Sequence, residues 1–272
     1  MKFVDDGTVA VTVDLKACLT PDPVDRARPR NYHEWTSHVL PEQNNLLHFY
    51  IRDSEQFVSE NLMVLNKQKT KVMSFTKSRK LDFPPEVCFS DRTPLECIPD
   101  TRLVGVVISQ DLKWFKNTAY ICEKARGKLW ILRRMLKVNL DVYQLFDVYT
   151  KEIRSILEMA VPVWHSGLSK KQTADIESIQ KLAMKIILQE NYSGYAFACE
   201  KFGTQTLEER RIKLCYKFAT KNHRSDNSFF TRLSTTVETR NKSDIVREFK
   251  CNFGRFQDSS LPYLAKLINS KK

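Results

Sequence analysis

The chain has 272 residues and a formal net charge of +12, with 42% hydrophobic and 28% charged residues. This composition is typical of a folded protein with room for one large domain or two ordinary ones. Its 7 glycines and 10 prolines are too few for a collagen-like chain or a long disordered tail. The low number of both residues favours helices, which tolerate few of either.

No apolar run of about 18 residues is present, and the first residues lack the apolar stretch of a secretory signal. The cysteines lie at positions 18, 88, 97, 122, 199, 215 and 251, without a Cys-x-x-Cys pair or a Cys/His cluster. That spacing argues against structural zinc and against a disulfide framework. We therefore expect an intracellular protein, of the nucleus or cytoplasm, with no membrane partner and no small-molecule cofactor.

The amino-terminal part predicts a small mixed region. Met1–Val4, a turn at Asp5-Asp6-Gly7 and the alternating run Thr8–Val13 predict a β-hairpin. Residues 20–45 hold four of the prolines and predict a long irregular connection. A helix is predicted over 45–63, with an inner face made of Leu46, Leu47, Tyr50, Ile51, Phe57 and Val58.

Short strands come next, followed by helices. The strands are predicted over Thr70–Phe75, Glu86–Phe89, Leu95–Ile98 and Leu103–Ile108, the last being a continuous apolar run typical of a buried strand. Apolar spacing predicts helices over 117–137, 141–160, 170–189, 194–201 and 206–222, with the second closed by Pro162. The expected fold class is α+β, with a mixed amino-terminal part followed by a helical carboxyl-terminal part.

Basic residues are concentrated after the amino-terminal part. Residues 1–64 are net negative, whereas Lys67–Lys80 and Lys124–Lys137 each hold six basic side chains and no acid. Either stretch alone could be a solvated basic face, but the two together favour a polyanion, nucleic acid before an anionic membrane surface. Trp114, Trp130 and Trp164 stand in apolar contexts, so we expect core packing rather than base stacking.

Adjacent carboxylates at Asp5 and Asp6 are costly to hold on a tight turn unless a cation neutralises them. Hard oxygen ligands of this kind suit Mg²⁺, which assists phosphoryl and nucleotidyl transfer. An Asp-Asp-Gly sequence by itself is usually only a turn. By contrast, His165 and His223 have no partner at ligand spacing and are expected to be structural or exposed.

The motifs that follow the paired aspartates form an ordered series. The series comprises LNKQKTK (65–71), LVGVVISQDLKW (103–114), KARGKLWILRR (124–134), YTKEIRSILE (149–158), PVWHSGL (162–168), IESIQKLA (176–183) and RRIKLC (210–215). In this order, after the Phe3-Val4-Asp5-Asp6 hairpin, they resemble the reverse transcriptases of non-LTR (LINE/jockey-like) retrotransposons. The resemblance covers most of the chain, from the catalytic hairpin of the palm through the thumb.

The resemblance implies a partial palm over 1–112, a thumb-like helical region over 113–190 and a helical region with a polar tail over 191–272. The family activity is RNA-directed DNA polymerisation. The resemblance assigns Asp5 and Asp6 to Mg²⁺ and, with Lys69, to catalysis. It places Lys69 or Lys71 near the triphosphate. The residues expected to contact nucleic acid are Phe3, Lys67, Lys71, Lys124, Lys128, Arg133 and Arg134.

The family palm also has a metal-binding aspartate on an earlier strand, preceded by the fingers. Because the hairpin begins here at residue 3, we expect a truncated fragment that is inactive alone and does not bind Mg²⁺ productively. Two alternatives stay open. One is a non-catalytic nucleic-acid-binding module that uses the basic thumb-like helices, and the other is a helical module that binds acidic protein partners.

Overall fold

The computed structural model describes residues 2–4, 50–73, 75, 87–224, 236–238, 244–246 and 259–270. These residues form a mixed, mostly helical structure with short strands in small sheets, which is consistent with the expected α+β class. The chain divides into two compact units, Met1–Leu103 and Val104–Lys272. The predicted turn at Asp5-Asp6-Gly7 and the proline-rich connection lie outside the described residues.

The first unit is built from short parallel strand pairs. Strand β1 (Lys2–Val4) pairs in parallel with β2 (Met63–Leu65), with Phe3 opposite Val64. Helix α1 (50–60) lies between them in the chain, as the crossover between parallel strands requires. Strand β3 (Lys71–Val72) pairs in parallel with β4 (Glu96–Cys97), and β5 (Asp100–Leu103) ends the unit.

The inner face of α1 differs from the prediction at two positions. Val58 is buried and Ile51 half-buried, whereas Phe57 is 57% exposed and Tyr50 is also exposed. Residues seven apart share one helix face, so Ile51 and Val58 define the buried stripe. Tyr50 and Phe57 lie about 100° away from that stripe, and their assignment to the inner face was wrong.

The second unit opens with a turn and a strand. Strand β6 covers Val106–Ser109, and the continuous strand predicted from Leu103 was wrong because Val104 and Gly105 have positive φ angles of 47° and 83°. The Val107 N–H donates to the Asn117 side chain at 3.1 Å, which joins β6 to the start of the next helix.

Seven helical elements follow, with predicted and observed ends a few residues apart. They are α2 (Phe115–Leu136), α3 (Val142–Val148), α4 (Ser155–Glu158), α5 (Val161–Trp164), α6 (Lys170–Leu188), α7 (Tyr195–Lys201) and α8 (Leu207–Arg224). Tyr149–Arg154 is a π-helical turn that connects α3 and α4. Strands β7 (Thr236–Glu238) and β8 (Asp244–Val246) pair antiparallel, and α9 covers Ser260–Asn269.

Local capping explains where two of these helices begin. Helix α6 starts with a capping box, in which the Ser169 N–H donates to the Gln172 side chain at 2.9 Å and the Gln172 N–H donates to Ser169 Oγ at 3.3 Å. Pro162 does not close α4 as predicted. Helix α4 ends before Met159, which is extended, and Pro162 stands in the first turn of α5, a position that proline favours.

The core of the second unit lies where α2 packs along α6. Ile121, Leu129, Leu132, Ile176, Ile179 and Ala183 are all nearly or fully buried there. The segment from α3 to α5, with its π-helical turn, adds Leu145, Tyr149, Ile153, Leu157, Val161 and Trp164. The last helices add Leu207, Cys215, Ala219, Leu264 and Ile268. The five cysteines of the described residues are free thiols.

Across the described residues, we find no helix with the length and hydropathy needed to cross a bilayer.

Two glycines are expected to respond in opposite directions to the same substitution. A Cβ added at Gly127, inside α2, meets no atom within 4 Å, whereas at Gly105 it would lie 2.8 Å from Met159 Cε. Gly127→Ala should raise the free energy of unfolding by about 0.5–1 kcal/mol, because glycine is unfavourable inside a helix. Gly105→Ala should lower it, because an alanine is strained at the positive φ of this position, whereas the Met159 methyl can move aside. Urea denaturation of both variants measures the two effects, and equal shifts would contradict this explanation.

Candidate nucleic-acid interface

Helix α2 separates an apolar face from a cationic one. Its buried side chains include Ile121, Ala125, Leu129 and Leu132, which pack in the core. The opposite side carries basic residues, while Glu123 is the only acidic residue of the helix. The exposed basic side chains of α2 and the residue after it are Lys116, Lys124, Arg126, Arg133, Arg134 and Lys137.

Three exposed cations lie close together at the carboxyl end of α2. Arg133 and Arg134 stand in its last turn, where positive charge also interacts favourably with the helix dipole. Together with Trp130 and Lys137 they line a shallow depression of about 460 Å³. In the part of the chain that the structure describes, neither arginine forms an ion pair with a carboxylate.

The three tryptophans have different environments. Trp164 is fully buried and donates its indole N–H to the Met159 carbonyl at 3.0 Å, and Trp114 is half-buried at the start of α2. Trp130 is 54% exposed, so its expected place in the core was wrong. The reason is angular, since Trp130 lies on the same side of the helix as Arg134 and away from Leu129 and Leu132.

Two of the predicted thumb-like cations have partners nearby. Lys124 lies over the Tyr120 ring, with Nζ 5.8 Å from the centroid. Lys128 is half-buried, and its Nζ is 3.2 Å from a Glu152 carboxylate oxygen. Because Lys128 is half-buried and has a carboxylate beside it, it is a weaker candidate for contact with an anion than the exposed Arg133 or Arg134.

The predicted cations of the first unit lie around β3 and β4. Lys67 pairs with Asp91 at 2.5 Å, with its Nζ 5.1 Å from the Phe89 ring centroid, and Lys71 pairs with Glu96. The hydrogen bond from Lys67 holds the pKa of Asp91 at about 2, well below its usual range. The Lys69 backbone N–H donates to the Asn66 carbonyl at 3.1 Å within a turn.

The residues assigned to metal and catalysis are not described at side-chain level. The backbone of Phe3 belongs to β1, whereas Asp5 and Asp6 lie outside the described residues. No group of three or more His, Cys, Asp or Glu side chains able to hold a metal ion occurs among the described residues. The Mg²⁺ expectation therefore stays a prediction about Asp5 and Asp6.

A buried polar network fixes the scaffold behind the cationic helix. The Tyr149 hydroxyl donates to Gln180 Oε1 at 2.6 Å, and Gln180 Nε2 donates to the Tyr195 hydroxyl at 2.8 Å and to the Gln205 carbonyl at 3.1 Å. The Tyr195 hydroxyl in turn donates to the Glu177 carboxylate. Burial raises the pKa of both tyrosines, so each stays a hydrogen-bond donor.

A second charged group lies between α4 and α8. Arg210 binds Glu158 through two parallel hydrogen bonds of 2.5 and 3.0 Å, and Arg154 Nε is 3.9 Å from the same carboxylate. Its hydrogen bond to Glu158 raises the pKa of Arg210. These residues come from the YTKEIRSILE and RRIKLC motifs, so two segments far apart in sequence meet here.

A buried arginine lies beside a half-buried histidine. Arg211 is fully buried, and its Nε donates to His165 Nδ1 at 3.4 Å. Within the described part of the chain, Nη1 and Nη2 of Arg211 have no hydrogen-bond partner. Burial, with the adjacent guanidinium, lowers the pKa of His165 to about 4. His165 is therefore a neutral acceptor at neutral pH and has a structural role, as predicted from the sequence.

Comparison with known proteins gives no relative. The chain matches no protein-family model, no curated protein and no solved structure.

His165 should make the stability depend on pH. Because the folded-state pKa is about 4 and the unfolded value about 6.5, the unfolded chain binds more protons between these values. The contribution is therefore complete above pH ~6.5 and is lost progressively as the pH falls towards ~4, by no more than about 3 kcal/mol. Urea denaturation across this range should give a shallower pH dependence for His165→Gln than for the native chain. Identical slopes would contradict the assignment.

The Glu158–Arg210 pair should couple more strongly than an exposed pair. Both side chains are mostly buried and joined by two hydrogen bonds, whereas Lys151 and Asp147 form a well-exposed i, i+4 pair at 2.6 Å. Double-mutant cycles with alanine should give a coupling free energy of about 1–3 kcal/mol for Glu158–Arg210 and about 0.5 kcal/mol or less for Lys151–Asp147. Similar values in denaturation experiments would show that the buried pair has no special role.

Proposed function

We propose that the second unit is a nucleic-acid-binding module that binds a phosphate backbone through the cationic face of α2. The supporting observation is the density of cations at Arg133 and Arg134, next to Lys137, on a helix whose other face is fixed in the core. Closely spaced Arg and Lys side chains bind phosphate oxygens through charge-assisted hydrogen bonds. Such contacts position a strand without selecting its sequence.

The resemblance supplies the wider context for this proposal. We infer that the chain corresponds to the palm and thumb of a non-LTR retrotransposon reverse transcriptase, with α2 as the first thumb-like helix. The described order has strand β1 and helix α1, then strands β2 to β6, then a helical region. It supports this inference because the resemblance predicts a strand, a helix, short strands and a helical thumb in that order. Polymerase activity depends on Asp5 and Asp6, and binding by α2 does not.

Three charge-removing substitutions test the binding surface. The triple variant should bind an oligonucleotide at least about 10-fold more weakly than the native chain. It combines Arg133→Gln, Arg134→Gln and Lys137→Gln. They should also reduce the slope of log K against log salt by about 2 to 3, because each lost phosphate contact contributes ~0.7–0.9. Fluorescence anisotropy at several salt concentrations measures both quantities.

The matched control removes three cations elsewhere in the same unit. Lys213, Lys217 and Lys221 are exposed on α8, and their combined change to Gln lowers the net charge by the same amount. If the α8 variant reduces affinity and slope as much as the α2 variant, binding is a property of total charge and the proposed surface is wrong.

Asp5→Ala separates binding from synthesis. This substitution should leave oligonucleotide affinity unchanged, while any primer extension with Mg²⁺ and nucleoside triphosphates should be lost. A protein-interaction module that uses its charge for acidic partners would instead show no steeper salt dependence than an unrelated basic protein.

A further inference from the structure

Trp130 is exposed although its helix has a well-formed core face. Its indole is 54% exposed, while Leu129 and Leu132 beside it in sequence are buried. Tryptophan carries one of the largest apolar surfaces, so burial is its usual state in a folded chain. What distinguishes Trp130 from other exposed apolar side chains is the cationic depression that it lines, which makes it a candidate contact for a ligand with both an aromatic face and anionic groups.

The surroundings of Trp130 leave the ring accessible. Side chains on a helix lean towards its amino terminus, over the residues three and four positions earlier. Position 127 is a glycine, and a Cβ added there would meet no atom within 4 Å, so the residue three positions earlier supplies no side chain to cover the indole. On the other side, Arg133, Arg134 and Lys137 share the shallow depression with the ring.

This combination matches one ligand chemistry. An accessible aromatic ring offers a stacking face, and the adjacent cations offer phosphate contacts. Trp130 and Lys137 are two helical turns apart, or about 10 Å, so a short segment of one strand can reach both. A base can stack on a side chain only where the base face is free, as in a single strand, whereas a duplex covers those faces.

We propose that Trp130 is a stacking platform for an unpaired base of a single-stranded nucleic acid, whose phosphates contact Arg133, Arg134 and Lys137. This inference rests on the proposed function and specifies its ligand, a single strand instead of a duplex. The stacking contact is independent of base identity because every base has an aromatic face.

The test uses two oligonucleotides with the same number of phosphates. One is an oligo(dT) of about twelve nucleotides, within the usual site size of single-strand binders, and the other carries abasic residues at every position. The native chain should bind oligo(dT) about 5- to 100-fold more tightly than the abasic strand. Trp130→Ala should reduce that ratio to about 1 to 2 while leaving affinity for the abasic strand unchanged. Trp130→Tyr should retain part of the ratio, since it keeps an aromatic face.

Phe115 provides the matched control on the same helix. Its side chain is 53% exposed, close to the value for Trp130, and it does not line the depression. Phe115→Ala should leave the ratio at its native value. A ratio of about 1 for the native chain, an unchanged ratio in Trp130→Ala, or an equal loss of affinity for both strands would overturn the stacking site. Salt-dependent binding of the abasic strand in that case would leave the proposed function intact, whereas no binding of either strand would overturn both.

Discussion

The packing of the second unit depends on the hydrogen bonds of the Gln180 side-chain amide. Buried in α6, it accepts from Tyr149 and donates to Tyr195 and to the Gln205 carbonyl, so a single side chain joins the π-helical turn, α7 and the segment before α8. One turn earlier, Glu177 accepts the N–H groups of Leu207 and Glu208, which satisfies the first turn of α8. A buried network of this kind is stabilising only when all its members are paired, and its position makes α6 the central helix of the unit.

The cationic surface is a consequence of that arrangement. Because α6 and its neighbours hold one face of α2 in the core, the opposite face is presented on a rigid element instead of a loop. The buried Thr118 hydroxyl accepts from Gln172 at 3.2 Å, which helps fix α2 against α6. Rigidity matters for an electrostatic site, because a backbone that is already ordered loses little further conformational entropy when its side chains bind. The buried residues of α2 therefore hold the helix in place, and the charged residues on its other face are presented to solvent.

The sequence predicted the helical half of the fold well, because its signals are local. Apolar spacing identified α2, α6 and α8, and Ser169 with Gln172 supplied a start signal for α6. The wrong predictions have physical causes that the spacing of apolar residues does not reveal. The turn at Val104 and Gly105 interrupts an apolar run that resembles a buried strand, and a helical angle places Trp130 outside although its neighbours in sequence are apolar.

The candidate site was predictable in part. Arg133 and Arg134 followed from the basic stretch and from the resemblance, but Trp130 was assigned to the core. The spacing of Trp130, Arg134 and Lys137, four and three residues apart, already indicates one exposed side of a helix. The sequence could not predict that Tyr149, Gln180 and Tyr195 meet, because their contact depends on packing between segments 15 to 31 residues apart.

The π-helical turn Tyr149–Arg154 affects which side chains reach the core on both sides of it. Its hydrogen bonds join residues five apart instead of four, so each turn holds more residues than an α-helical turn. Tyr149, Ile153 and Leu157, spaced by four residues, are all fully buried. In a regular α-helix a spacing of four residues drifts by about 40° at each step, and the wider turn reduces that drift, so these three side chains stay on one face.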